Sequence, residues 1–162
     1  MSEPDYRELR VPTTAVEAEV LCADGRTFRG KVFIPEVAST HRGPMRPAEW
    51  INDPSPFFPF LPADETGAFL MSRKQVMVFT VSAAFIEEPD DPGEAGAVRR
   101  RVVVECGSRR IEGHVLIDMP SHQMRALDYL NRADPFLIVR DGDRHHLIRK
   151  ERITRVTEPK EN

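Results

Sequence analysis

The chain has 162 residues, 40% of them apolar, a formal net charge of −3 and a pI near 6.0. That balance advertises neither a nucleic-acid surface nor an affinity for anionic membranes. No apolar run approaches the roughly 18 to 20 residues that a membrane span needs, and Met1 to Arg10 is polar where a signal peptide would be apolar. A soluble cytoplasmic protein is expected, without membrane association.

Residues 1–14 read as an N-terminal arm. Val16 to Cys22 alternates apolar and polar residues, as a half-buried strand does. Asp24-Gly25 is a hairpin signal, and Thr27 to Pro35 alternates again through Phe28, Gly30, Val32 and Ile34. Gly30 inside that strand predicts a bend or bulge. Glu36 to Pro62 carries Pro44, Pro47, Pro54, Pro56, Pro59 and Pro62, which leaves room only for a helical turn near Ala48 to Asn52. Strands are expected after Pro56-Phe57, over Phe69 to Ser72 and over Val76 to Phe85.

Glu87 to Ala97 is acidic, contains Pro and Gly, and has nothing to bury; it reads as a linker or a mobile loop. Beyond it the pattern starts again. Strands are expected on both sides of Gly107, then a helix over Gln123 to Asn131 with Ser121 as its cap. Phe136 to Val139, His145 to Arg149 and Arg152 to Thr157 complete the set. Residues 159–162 form a tail.

The second series repeats the first. Cys22, Arg26, Gly30, Val32 and Ile34 return as Cys106, Arg109, Gly113, Val115 and Ile117. Trp50-Ile51-Asn52-x-x-x-Pro56-Phe57 returns as Tyr129-Leu130-Asn131-x-x-x-Pro135-Phe136, and Phe69-Leu70-Met71 as His146-Leu147-Ile148. The spacing shrinks from 83 residues at Arg26/Arg109 to 79 at Trp50/Tyr129 and 77 at Phe69/His146, as loop deletions would make it. A unit this long points to two copies of one small domain rather than to a solenoid. The division is therefore 15–86 for the first copy and 98–158 for the second, with 87–97 between them. The fold class is mostly β: two duplicated small five-stranded barrels, each with a short helix or helical turn in a connecting loop. Copies this small bury little surface alone, so packing on each other or oligomerisation is expected.

Within that class each copy resembles an Sm-like domain of the SH3-like barrel type. The likeness rests on Val20-x-Cys22-x-Asp24-Gly25-Arg26-x-Phe28-x-Gly30-x-Val32 and on Leu147-Ile148-Arg149-Lys150-Glu151-Arg152-Ile153. It implies the small barrel fold. The chain departs from the Sm pattern at Asp118, which lacks the base-holding Asn that should follow, and at Lys150, where Gly is usual. Arg99-Arg100-Arg101 before a strand is also similar to the arginine stretch of PilZ domains, which would imply cyclic di-GMP binding.

Two candidate sites follow. Phe57, Phe58, Phe60 and Leu61 form an apolar, proline-rich run that would mark a partner-binding surface if exposed. Arg99, Arg100, Arg101, Arg149, Lys150 and Arg152 head a basic cluster in the second copy, suited to a phosphate-bearing ligand if they converge. Adjacent residues on a strand face opposite ways, so His145 and His146 do not make a metal pair. His114, His122 and Asp118 lack metal-ligand spacing. Ser121 has a capping role and Cys106 no evident activating base. Cys22 and Cys106, at matching positions, are expected as buried, reduced thiols. No metal, cofactor or catalytic residue is expected. The expected function is a non-enzymatic interaction or adaptor module that binds a protein or itself; the alternative is RNA or nucleotide binding through the arginines.

Overall fold

A computed structural model describes residues 12–36, 45–64, 66–82, 98–117 and 126–159. In the first half, β1 (Thr13–Cys22) and β2 (Thr27–Pro35) form a hairpin whose turn residue Gly25 takes φ +90°, a region open to glycine. Helix α1 (Pro47–Ile51), β3 (Phe57–Pro62) and β4 (Phe69–Ser72) follow, then a 3₁₀ turn at Arg73–Gln75 and β5 (Val76–Ser82). The second half repeats the order as β6 (Val98–Cys106), β7 (Arg109–Ile117), α2 (Ala126–Leu130), β8 (Phe136–Asp141), β9 (Arg144–Arg149), a turn at Lys150–Arg152 and β10 (Ile153–Thr157). Thr13 and Thr14, assigned to the arm by sequence, open β1. Residues 1–11 of the arm, the acidic 87–97 segment, Asp118, Ser121 and His122 lie outside the described residues.

The described residues are mostly β, and all ten strands belong to one antiparallel sheet in the order β10-β6-β7-β8-β9-β5-β1-β2-β3-β4. The sequence pointed to two cylinders, each closing by itself; the strands run on as one open sheet. The reason lies in β5. Both of its faces are buried, Phe79 and Val81 in the first core and Met77 and Val78 in the second, and its remaining backbone edge pairs with β9.

Each half nevertheless keeps one internal order, last strand beside first, then second, third and fourth. The registers repeat as well. Val20 lies opposite Phe79 and Leu21 opposite Val78, while Val104 lies opposite Val156 and Glu105 opposite Arg155. Both pairings shift register at the same place, before Cys22 opposite Val76 and at Cys106 opposite Ile153. The turn hydrogen bonds match too: Arg73 N donates to the Pro56 carbonyl and Lys150 N to that of Pro135, both at 2.9 Å.

Gly30 and Gly113 show why the bend glycines recur. A Cβ at Gly30 would overlap the Leu61 carbonyl oxygen and come within 2.9 Å of the Phe60 ring. One at Gly113 would overlap the Arg140 carbonyl oxygen and lie 2.7 Å from Val139 Cγ1. The third strand of each half crosses the second closely at that point.

Two apolar cores fill the structure. The first gathers Val20, Val32, Trp50, Phe58, Phe60, Met71 and Phe79 from the first half, and takes in Phe136 and Leu147 from the second. The second gathers Val102, Val104, Val115, Ile117, Leu137, Val139 and Ile148, and takes in Leu21, Met77 and Val78 from the first half. Cys22 and Cys106 are free thiols, one in each core, and burial pushes both thiol pKa values up.

Candidate interaction site at the sheet edges

The junction between halves is an antiparallel ladder of β5 and β9, with Val78 opposite Ile148, Phe79 opposite Leu147, Thr80 opposite His146, and Ser82 opposite Arg144. A strand presents alternate residues to its two faces. Leu147 and Phe79 therefore face the first core, with Phe136 beside them, while Val78 enters the second and is joined there by its neighbour Met77, which lies where the β1–β5 pairing shifts register. Leu147 is fully buried and Phe136 is 6% exposed.

Arg149 ends β9 and closes the junction. Its Nε donates to the Val76 carbonyl at 2.8 Å and its Nη2 to the Arg73 carbonyl at 2.7 Å. The guanidinium also lies 4.7 Å from the Phe136 ring centroid. Burial lowers its pKa, though it stays charged, and charged donors make the stronger hydrogen bonds. On the same ladder, His146 Nδ1 lies 2.8 Å from Thr80 Oγ1 and Nε2 lies 3.8 Å from an Asp141 oxygen. Burial lowers the His146 pKa, partly offset by Asp141.

The counterparts of these junction residues lie at the two outer edges of the sheet. Phe57 and Leu70 occupy the positions of Phe136 and Leu147, but on β3 and the outermost strand β4 they are 57% and 71% exposed. Ser72 stands where Arg149 would be. On β10, the opposite edge, Ile153 and Val156 match Val76 and Phe79 and are only half-buried.

Strand alternation settles where the predicted apolar run points. Phe57 faces solvent, whereas Phe58 and Phe60 are buried core residues, 2% and 0% exposed, and Leu61 is half-buried. A ligand at this edge meets Phe57 and not its two neighbours. Leu70 was missed by sequence reasoning. The signal was available in its alignment with Leu147, but its exposure depends on β4 being the last strand.

The predicted basic cluster is divided. Arg99, Arg100 and Arg101 occupy the start of β6, beyond Thr157, which pairs with Val103. Arg149, Lys150 and Arg152 surround the β9–β10 turn, beside Cys106 at the other end of β6. Six residues of strand, about 20 Å, separate Arg100 from Cys106. Arg149 is committed to backbone carbonyls, Lys150 Nζ donates to the Arg132 carbonyl at 3.1 Å, and Arg101 lies 3.8 Å from Glu112.

A shallow cleft of about 560 Å³ lies over β1, β2, β5 and the β8–β9 turn. Its charges alternate in sign: Glu19 lies 3.3 Å from Arg29 and 4.0 Å from Arg144. It offers no concentration of one charge to a ligand. Among the described residues, no group of three or more His, Cys, Asp or Glu side chains is placed to hold a metal ion, and no helix is long and apolar enough to cross a membrane.

No protein-family model matches this chain, and no curated protein or solved structure matches it either.

Proposed function

We propose that the chain is a non-enzymatic interaction or adaptor module, built from two small barrel-like halves, that takes a protein strand at an open edge of its sheet. Edge strands present unpaired backbone groups and readily accept another strand. The observation that carries this reading is the exposure of Phe57 and Leu70 together at the β4 edge. Their counterparts are buried where a strand does pair. An apolar pair on an open edge fits a surface that is covered in use. Backbone hydrogen bonds would supply affinity there, and the two apolar side chains would supply preference.

The test is capture from native lysate by the wild-type chain and by a Phe57→Asp, Leu70→Arg double variant, each with and without nuclease. Proteins retained by the wild type, lost with the variant and indifferent to nuclease support the reading. An unchanged set of captured proteins refutes it.

A further inference from the structure

We propose that the chain associates head to tail with a second copy of itself, β4 of one molecule pairing with β10 of the next. This rests on the interaction reading above and names its partner. The chain already contains the interface once. Inside it, the fourth strand of the second half, β9, pairs with the fifth strand of the first half, β5. The corresponding fourth and fifth strands that remain are β4 and β10, the two outer strands of the sheet among the described residues.

The internal register specifies the external one. Leu147 opposite Phe79 becomes Leu70 opposite Val156, and His146 opposite Thr80 becomes Phe69 opposite Thr157. The apolar side chains are in place on both edges. Phe136 and Leu147 complete the first core from across the junction. Phe57 and Leu70 of one molecule would cover Ile153 and Val156 of another, and so complete its second core in the same way. Among the described residues the large exposed apolar side chains are Phe57, Leu70 and Leu127, and the first two are at this edge.

The external contact is the weaker of the two. On the other face, Leu21, Met77 and Val78 of the junction correspond to Glu105, Thr154 and Arg155, and Glu105 and Arg155 form an exposed ion pair. Ser72 cannot repeat the Arg149 clamp. Association is therefore reversible and depends on concentration. It is also heterologous, because the two contacting surfaces differ, and so each molecule can bind on both sides.

Sedimentation velocity over a range of concentrations tests this with Leu70→Arg, which spoils one edge, and Val156→Arg, which spoils the other. The wild type should grow beyond a dimer. Each variant alone should stay monomeric, and an equal mixture should form a dimer and stop, since one good edge of each kind remains. A second measurement avoids disruptive charges. A Leu70→Cys chain mixed with a Val156→Cys chain should give a disulfide-linked heterodimer on mild oxidation, because directly opposed residues have Cβ atoms about 5 Å apart. Neither cysteine variant alone should cross-link.

A wild type monomeric at every concentration overturns the proposal. So does a Val156→Arg chain that still dimerises, which would mean β4 pairing with β4. Lysate capture separates this failure from failure of the broader reading. A monomeric chain that still captures proteins through Phe57 and Leu70 keeps the interaction module and loses the self-pairing; a monomeric chain with no edge-dependent capture loses both.

Discussion

Leu70 and Leu147 are the same repeat position in opposite environments, so truncating each measures the junction directly. Leu147 is fully buried in the first core, opposite Phe79. Leu147→Ala removes its buried methyl groups and leaves a cavity in a rigid sheet, which costs about 2–5 kcal/mol. Leu70 is 71% exposed, and Leu70→Ala should stay within about 0.5 kcal/mol of the wild type. Urea denaturation, followed by fluorescence of the buried Trp50, reads both. With a slope of about 2 kcal/mol per molar, Leu147→Ala should lower the midpoint by roughly 1–2.5 M and Leu70→Ala hardly at all. The comparison belongs at low protein concentration, where self-association does not contribute. At high concentration the wild-type midpoint should rise by mass action while that of Leu70→Ala does not. A Leu147→Ala chain as stable as the wild type would refute burial at the junction, and equal losses at the two positions would refute the asymmetry between inner and outer edges.

Arg149→Met keeps an apolar stem over Phe136 but loses the hydrogen bonds to the Val76 and Arg73 carbonyls; it should destabilise the chain by about 1.5–3 kcal/mol, and a loss below about 0.5 kcal/mol in urea would show the clamp to be ornamental. Gly113→Ala should cost at least about 1–3 kcal/mol, because the added Cβ meets the Arg140 backbone carbonyl rather than a side chain that can swing away; Gly30→Ala should behave alike, and thermal melts of both variants provide the check. His146 has a folded-state pKa below its ordinary value of 6.5, chiefly through burial. The unfolded chain therefore binds more protons, so this contribution is full above about pH 6.5 and is lost as pH falls through the depressed folded value. Stability measured between pH 7 and pH 5 should fall less steeply for His146→Asn than for the wild type, and identical slopes would exclude the histidine as a cause.

The repeat was legible because its landmarks are residues whose chemistry the fold cannot replace. Gly30 and Gly113 must lack a Cβ where a carbonyl passes over them, and the Phe of each Pro-Phe element, Phe57 and Phe136, opens β3 and β8. The alignment drawn on those landmarks agrees with the observed registers, down to the shared irregularity at Cys22 and Cys106. The junction was not legible, because it joins strands far apart in sequence and no local signal names a partner. A trace was present. Val76 to Val81 is an almost unbroken apolar run, whereas Ile153 to Thr157 sets Ile153 and Val156 among Thr154, Arg155 and Thr157, and a strand covered on both faces reads as the former. By residue type alone Arg149 belongs with arginines suited to phosphate, since sequence cannot reveal that the end of β9 lies against two carbonyls of the other half. As a sequence the run Phe57 to Leu61 is one apolar patch that includes Phe58 and Phe60; strand alternation sends its members to opposite sides.

An exact repeat would give two outer edges as sticky as the inner ones, and the differences between the halves act against that. At the junction, Leu21, Met77 and Val78 present apolar groups to the neighbouring core. On β6 and β10 the same positions hold Glu105, Thr154 and Arg155, and the Glu105–Arg155 ion pair lowers the Glu105 pKa. Charged side chains on an edge strand oppose indiscriminate strand addition. Phe57 and Leu70 show no such change: they remain large and apolar while exposed. Ile153 and Val156, on the other face of β10, also remain apolar. At the outer edges one face is thus polar and the other is not. An edge meant to bind nothing would have lost both. An edge meant for permanent union would have kept Arg149's counterpart and both apolar faces. The mixture observed suits a contact that forms in one orientation and releases again.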